Sequence, residues 1–321
     1  MLPEEKVAQR FSQIRGIKPP VDVEVLVREL ADLEEDSLPG GYDAVTLDKS
    51  GRHPRPRVII EKNQPATRRI FTLGHEIGHI VIPWHYGTDF CRLDSAARLG
   101  DRLTADVEAQ ANHFAAELLM PTKWVERLIK AEAGLENLVE AVKAVGVSYH
   151  AASIRLVNLL PGGALFVEMD AERNVVRASA SPSTHIRLPE VGKPFRGAEL
   201  NSLASERVSF VSGSSKIIWW RFPDKIASPK LLGEVRQSSE LLRLICDEVF
   251  DDARLTTQAM MSINGVIGAA NGTILRTGAG DLFTILKRRF LGRGEIAAVV
   301  NHRLFEEFLA RRVQEIQTRH R

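Results

Sequence analysis

His75, Glu76 and His79 stand in the order His-Glu-x-x-His within "FTLGHEIGHIVIPWHYGTDFC", Phe71 to Cys91. Histidines four apart lie on one face of a helix, so both imidazoles can reach one ion. Neutral imidazole is a good zinc ligand. A glutamate next to the first ligand sits beside the metal's water rather than on the metal. Zinc lowers the pKa of that water toward ~7, and Glu76 is placed to take its proton as the water attacks a carbonyl. Chance alone gives this pattern in roughly one chain in a hundred of this length, and its bland reading is a helix with two surface histidines. Gly74 and Gly78 weigh against that reading. Each costs a helix about 1 kcal/mol, which makes sense where another element must approach closely.

A catalytic zinc needs a third protein ligand and one open position. Downstream lies "DVEAQANHFAAELLMP". Glu108 is the leading candidate. Asn112 follows one turn later on the same face, where its side-chain oxygen could accept from the far nitrogen of a ligand histidine. His113, Asp106, Glu117 and His85 are rivals, and a solvated helix charge is the plain alternative for Glu108. Tyr86, His85 and Tyr42 are candidates for stabilising an oxyanion. Cys91 falls between His79 and Glu108. A thiolate binds zinc well and would block the open position as an inhibitory ligand; the alternative is a small buried residue beside Phe90.

Other segments must position these groups. Residues 4–15 and 22–33 have the pattern of two short helices. "LPGGYDAVTL" is a turn and a strand, and "RPRVIIEKN" a second strand. Asn63 as N-cap and Pro65 in the first turn open a helix that runs to about Ile82, where Pro83 stops it. A further helix covers about 106–119. Residues 122–160 are helical throughout, and "LENLVEAVKAVGVSYHAASIRLVNLL" has the helix, glycine turn, helix pattern of a helix-turn-helix. After "LPGG" the style changes to hairpins and then, from Ser228, to helices. The expected division is 1–121, 122–160 and 161–321.

The paired segments "RRIFTLGHEIGHIVI" and "EAQANHFAAELLMP" resemble the ImmA/IrrE family of metallopeptidases, over roughly residues 1–160. The resemblance implies an α+β, gluzincin-like zinc peptidase domain with a helix-turn-helix-like extension, which cuts a helix-turn-helix repressor and so derepresses a stress or defence operon. In that family the second segment commonly carries glutamates at the positions of both Glu108 and Gln110. This chain keeps only the first, and a family ligand at the second position would leave the site crippled. The pairing with Asn112 favours Glu108. The strand before the zinc helix, "RVIIEK", would pair with an extended substrate.

Family members with a long C-terminal region carry a mixed α/β, GAF-like sensor domain, and the whole chain resembles that arrangement. It is also similar to CapP-type proteases beside repressor genes in CBASS anti-phage operons, which implies triggering by single-stranded DNA. "SKIIWWRFPDK" interleaves Lys216, Trp219, Trp220, Arg221 and Lys225, and aromatics beside cations suit single-strand binding. In a strand the two tryptophans face opposite ways, so one core-facing and one exposed ring is the expectation. Lys287, Arg288 and Arg289 open a C-terminal segment with nine Lys+Arg against four Asp+Glu, able to hold phosphates by charge or simply to solvate a helix.

The chain has 321 residues, 44% hydrophobic and 26% charged. This is ordinary globular composition at a length that favours two domains. The net charge of +2 names no partner, although residues 1–160 carry net −3 and 161–321 net +5. Two cysteines make no disulfide framework. The first residues lack a signal peptide's apolar stretch, and no run of about 18 apolar residues exists to span a membrane. A cytoplasmic protein is expected. The competing function is a DNA-binding regulator with a structural or degenerate zinc site, although the second helix of its helix-turn-helix offers only Arg155 as a clear cation.

Overall fold

The computed structural model describes residues 1–47, 55–85, 89–91, 102–132, 134–231, 236–277 and 280–319, with backbone alone at 89–91, 102–104 and 276–277. Residue contacts divide the chain into Met1–Leu159 and Leu160–Arg321. The helical stretch 122–160 thus belongs almost entirely to the first unit.

Pro3 opens α1 (Pro3–Arg15), and Asp22 caps α2 (Val23–Leu30) by accepting from the Val25 N–H at 3.1 Å. The helix expected over 22–33 stops short, because Asp32–Asp36 is a strand, β1. Its residues, Asp-Leu-Glu-Glu-Asp, show no apolar alternation. Backbone pairing with a neighbour makes the strand, and no local pattern announces it.

That neighbour is β3 (Arg57–Glu61), which β1 joins in parallel. β2 (Ala44–Leu47) pairs antiparallel with the other side of β3, and β4 (Asp89–Cys91) pairs with β2. The sheet order is therefore β1-β3-β2-β4. This overturns the expectation that "RVIIEK" receives a substrate strand. Both edges of β3 are already paired, and among the described residues the end strands are β1 and β4.

Pro65 takes the N-cap position of α3 (Ala66–Val81), two residues later than Asn63 would have placed it, and the helix ends just before Ile82–Pro83. Arg68 in its first turn grips Asp43 with two bonds, at 2.6 and 2.8 Å, and so ties the start of β2 to α3. α4 (Arg102–Leu119) lies against α3, with Leu73, Ile77, Ala111, Phe114, Ala115 and Leu118 buried in the core. α5 (Thr122–Ala131), α6 (Leu135–Lys143) and α7 (Tyr149–Leu159) complete the unit. Gly146 turns the chain between α6 and α7 at φ +92°, and a Cβ there would stand 2.6 Å from Ile70 of α3. Both the left-handed backbone and the close approach require glycine.

Leu160–Arg321 is also α+β, with strands first and most helices after. β5 (Ala164–Met169), β6 (Val175–Ala180), α8 (Ala198–Leu203), β7 (Glu206–Ser212) and β8 (Ser215–Arg221) give an antiparallel sheet in the order β6-β5-β8-β7. α9 (Ser238–Val249), α10 (Ala253–Thr277), α11 (Leu282–Arg289), α12 (Ala297–Val300) and α13 (Phe305–Arg319) follow. They bury Ile245, Ile263, Phe283, Leu286, Phe305 and Phe308 together. Cys246 is in that core as expected, and burial pushes its thiol up to about 11. No helix among the described residues is long and apolar enough to cross a membrane.

Candidate metal centre

His75, Glu76 and His79 are fully buried on α3, and Glu108 on α4 is 7% exposed. Two adjacent helices therefore bring together what the sequence separates by more than two dozen residues. The Nε2 atoms of His75 and His79 lie 2.9 Å apart, and each is 3.3 Å from an oxygen of Glu108. These three residues form a group whose ligand atoms lie within 4.8 Å of one another.

Gly78 lets the helices meet. A Cβ at this position would lie 3.2 Å from Phe114 Cδ1 and 3.3 Å from the Ala111 Cα and carbonyl oxygen of α4. Gly74 is less constrained, with its nearest contact an ordinary 3.4 Å to Leu119. The close approach inferred from two helix glycines thus resides chiefly at Gly78. Gly78→Val should force α4 outward, cost about 1–3 kcal/mol by overpacking, and weaken metal binding by displacing Glu108. Calorimetric melting and a zinc titration check both effects; an unchanged zinc affinity would detach the glycine from the site.

The far side of each histidine is held as well. Asn112 Oδ1 is 2.9 Å from His75 Nδ1, the partnership expected from its spacing to Glu108. Accepting there places the proton on Nδ1 and leaves the Nε2 lone pair directed at the cluster. His79 Nδ1 is 3.1 Å from His85 Nδ1. His85 therefore stands behind a ligand and not beside the metal position, which removes it as a rival ligand. Burial alone would raise the Glu108 carboxyl, but hydrogen bonds and charge from His75 and His79 outweigh it and hold the group down to about 2. Burial likewise pulls His75 down, while its bond to Glu108 and the charges of Glu76 and Glu108 raise it on balance. Two carboxylates so placed create a field that favours a cation. The donor set of two imidazoles and one carboxylate, with both far nitrogens hydrogen-bonded, fits zinc with a position to spare.

Glu76 lies beside the cluster without joining it. The Thr46 hydroxyl of β2 donates to Glu76 Oε2 in a short hydrogen bond, and Thr46 is fully buried. Thr46 was invisible as a site residue, because a threonine in an apolar strand carries no local signal; only the packing of β2 on α3, fixed by Arg68 and Asp43, brings it here.

The other rivals lie elsewhere. Glu117 is buried against Arg155 and also accepts from the Gln9 side-chain amide at 2.9 Å. His113 pairs with Glu4 at 2.8 Å, and Asp106 is exposed. Tyr42 is half-buried. Tyr86 and the side chain of Cys91, the expected inhibitory thiolate, lie outside the described residues; the Cys91 backbone pairs with Ala44.

In the second unit, Trp219 and Trp220 are both buried, which corrects the expectation of one exposed ring. Trp219 packs on Phe166 with centroids 5.2 Å apart. Trp220 meets Phe195 edge-on and donates to Asn201 Oδ1 at 2.8 Å. Rings used this way offer no face to a base. Arg221 is 3.7 Å from Glu206, Lys287 2.5 Å from Glu306, Arg288 donates to the Pro223 carbonyl at 2.6 Å, and Arg289 to Thr273 at 2.9 Å. Lys216 and Lys225 are exposed.

Residues 28–157 match the family model of the IrrE N-terminal-like domain, peptidase M78. The matched stretch contains the whole histidine–glutamate cluster, Glu76, Asn112 and Thr46, so a zinc-peptidase family and the site's geometry coincide on the same residues. No curated protein matches the chain. Among solved structures, a Mycobacterium tuberculosis transcriptional regulator is similar at 12% identity and a TM-score of 0.46, covering 69% of this chain and 77% of that one.

Proposed function

We propose that residues 1–159 form a zinc endopeptidase that cleaves a helix-turn-helix transcriptional repressor, and that Leu160–Arg321 is a sensor region controlling it. The observation that carries the catalytic part is the convergence of His75, His79 and Glu108 with Glu76 held alongside by Thr46. Zinc bound there would supply Lewis acidity, polarising a peptide carbonyl and acidifying a water. Glu76 then accepts a proton from the nucleophile and returns it to the leaving nitrogen. Thr46, donating to one carboxylate oxygen, holds Glu76 in the orientation this needs. An extended substrate would add to β4, an end strand next to β2 and Thr46.

The resemblance to repressor-cleaving proteases supports the substrate class, and likeness to the CapP type supports single-stranded DNA as the trigger in an anti-phage operon. Burial of both tryptophans leaves charge, chiefly at Lys216 and Lys225, as the means of holding it. A second reading of the trigger is a small molecule. The second unit has a cleft of about 510 Å³ with apolar walls at Val175, Phe195 and Leu200, and with Arg187, Lys193 and Arg196 set among Glu190, Glu199 and Glu295. The regulator reading loses ground. Arg155, its one clear cation, is buried in an ion pair, and only Asn158 of α7 is exposed, so α7 has little face to lay in a groove.

The test is incubation of the zinc-loaded protein with the repressor encoded beside its gene, with and without a single-stranded oligonucleotide. Chelator-sensitive cleavage at one position, accelerated by the oligonucleotide, is expected. Cleavage indifferent to the oligonucleotide moves the trigger to the cleft, and an intact repressor in every arm overturns the proposal.

A further inference from the structure

Behind the metal cluster runs a hydrogen-bonded chain of Trp84, Gln110, His85 and His79. Gln110 Oε1 is 2.7 Å from Trp84 Nε1 and 3.0 Å from His85 Nε2. His85 Nδ1 is 3.1 Å from His79 Nδ1. His85 is 5% exposed, although it follows a helix-ending proline in a segment where nothing in the sequence requires burial.

Donor and acceptor rules fix every proton in this chain from one end. An indole nitrogen can only donate, so the Gln110 atom facing Trp84 must be the carbonyl oxygen. That oxygen can only accept, so the second group on it, His85 Nε2, carries a hydrogen. A neutral imidazole with Nε2–H has its lone pair on Nδ1. His79 Nδ1, 3.1 Å away, must then be the donor, and the lone pair of His79 is left on Nε2, the atom that faces Glu108 and His75.

We propose that His85, oriented by Gln110, is a positioning residue that locks the metal-binding tautomer of His79. The inference rests on the metal reading given above and deepens it. Asn112 performs the same task for His75 in a single step, whereas His79 is served through an intermediate imidazole. It also gives a use to Gln110, whose amide oxygen holds Trp84 and His85 together. The position is one of acceptance and not of metal binding, so an amide oxygen fills it.

The deciding experiment measures zinc affinity of the metal-free full chain by competition with a chromophoric chelator, alongside the melting temperature of the metal-free protein. His85→Phe keeps a ring but removes the acceptor; Gln110→Leu removes the anchor. Each should weaken zinc binding about 10–100-fold, the range for losing a hydrogen bond behind a ligand histidine, while the metal-free protein melts near wild type. His85→Asn, whose Oδ1 can stand where Nδ1 stood, should restore most of the affinity. Should His85→Phe fold poorly, Gln110→Leu and His85→Asn still decide. Wild-type affinity in both His85→Phe and Gln110→Leu overturns the relay while leaving the metal site intact. Equal losses in His85→Phe and His85→Asn reduce His85 to packing and overturn it as well. Failure of the wild-type chain to take zinc at all overturns the metal reading underneath.

Discussion

Glu76→Gln should lose repressor cleavage almost completely while zinc binding stays at the wild-type level. The substitution keeps the size of the side chain and can still meet the Thr46 hydroxyl. It removes the carboxylate that stands beside the cluster and could take a proton at neutral pH. Loss of a general base costs typically 10²–10⁴-fold in rate. Because Glu76 adjoins the ligands without being one of the three convergent residues, metal affinity is not expected to follow activity. The paired measurement is single-turnover cleavage of the repressor and chelator competition for zinc. Cleavage within a few-fold of wild type would sink the assignment of Glu76 as base, and loss of zinc would make it a ligand.

The second large effect lies away from the chemistry. Arg155 of α7 donates through Nε to the Met120 carbonyl at 2.9 Å and through Nη2 to Thr122 Oγ1 at 2.9 Å, and pairs closely with Glu117. Glu117 is 1% exposed and also accepts from Gln9, so α1, α4, α5 and α7 meet at one buried carboxylate. Arg155→Met should cost about 3–5 kcal/mol, because it strands a buried charge rather than merely deleting a contact. At the usual scaling for a unit of this size the melting temperature falls by on the order of 10 °C. Arg155→Met with Glu117→Leu should recover much of the loss, since replacing both members by apolar groups leaves no charge stranded. Melting of the two variants by calorimetry checks this; equal destabilisation in single and double variants would show that packing, and not the stranded carboxylate, sets the cost.

The same residue shows where sequence reasoning reached its limit. Arg155 stood out as the lone cation of an apparent recognition helix, and its position in the pattern α6–turn–α7 was legible from apolar spacing and Gly146. Its partner, 38 residues away, was not legible, because nothing local marks which buried carboxylate a helix cation will meet. Trp219 and Trp220 failed for a similar reason. Their alternation in a strand was evident, but the ring expected to face solvent is also covered. β1 was missed because an edge strand can be almost entirely polar when its neighbour supplies the pairing.

His75, Glu76, His79, Glu108 and Asn112 were all accessible from spacing, since a helix repeats its faces every three to four residues and each of the two segments carries its own groups on one face. The sequence by itself therefore determined the ligand-bearing helices and where they stop, whereas their starts and the choice of Gly78 over Gly74 as the point of contact came from the structure. Tertiary structure alone decided that β2 presents Thr46 to Glu76, that β3 has no free edge, and that His85 backs a ligand instead of acting as one. Those three facts depend on long-range pairing and on the direction a side chain takes after a proline. Such features are set by the packing of distant segments, which no local periodicity encodes.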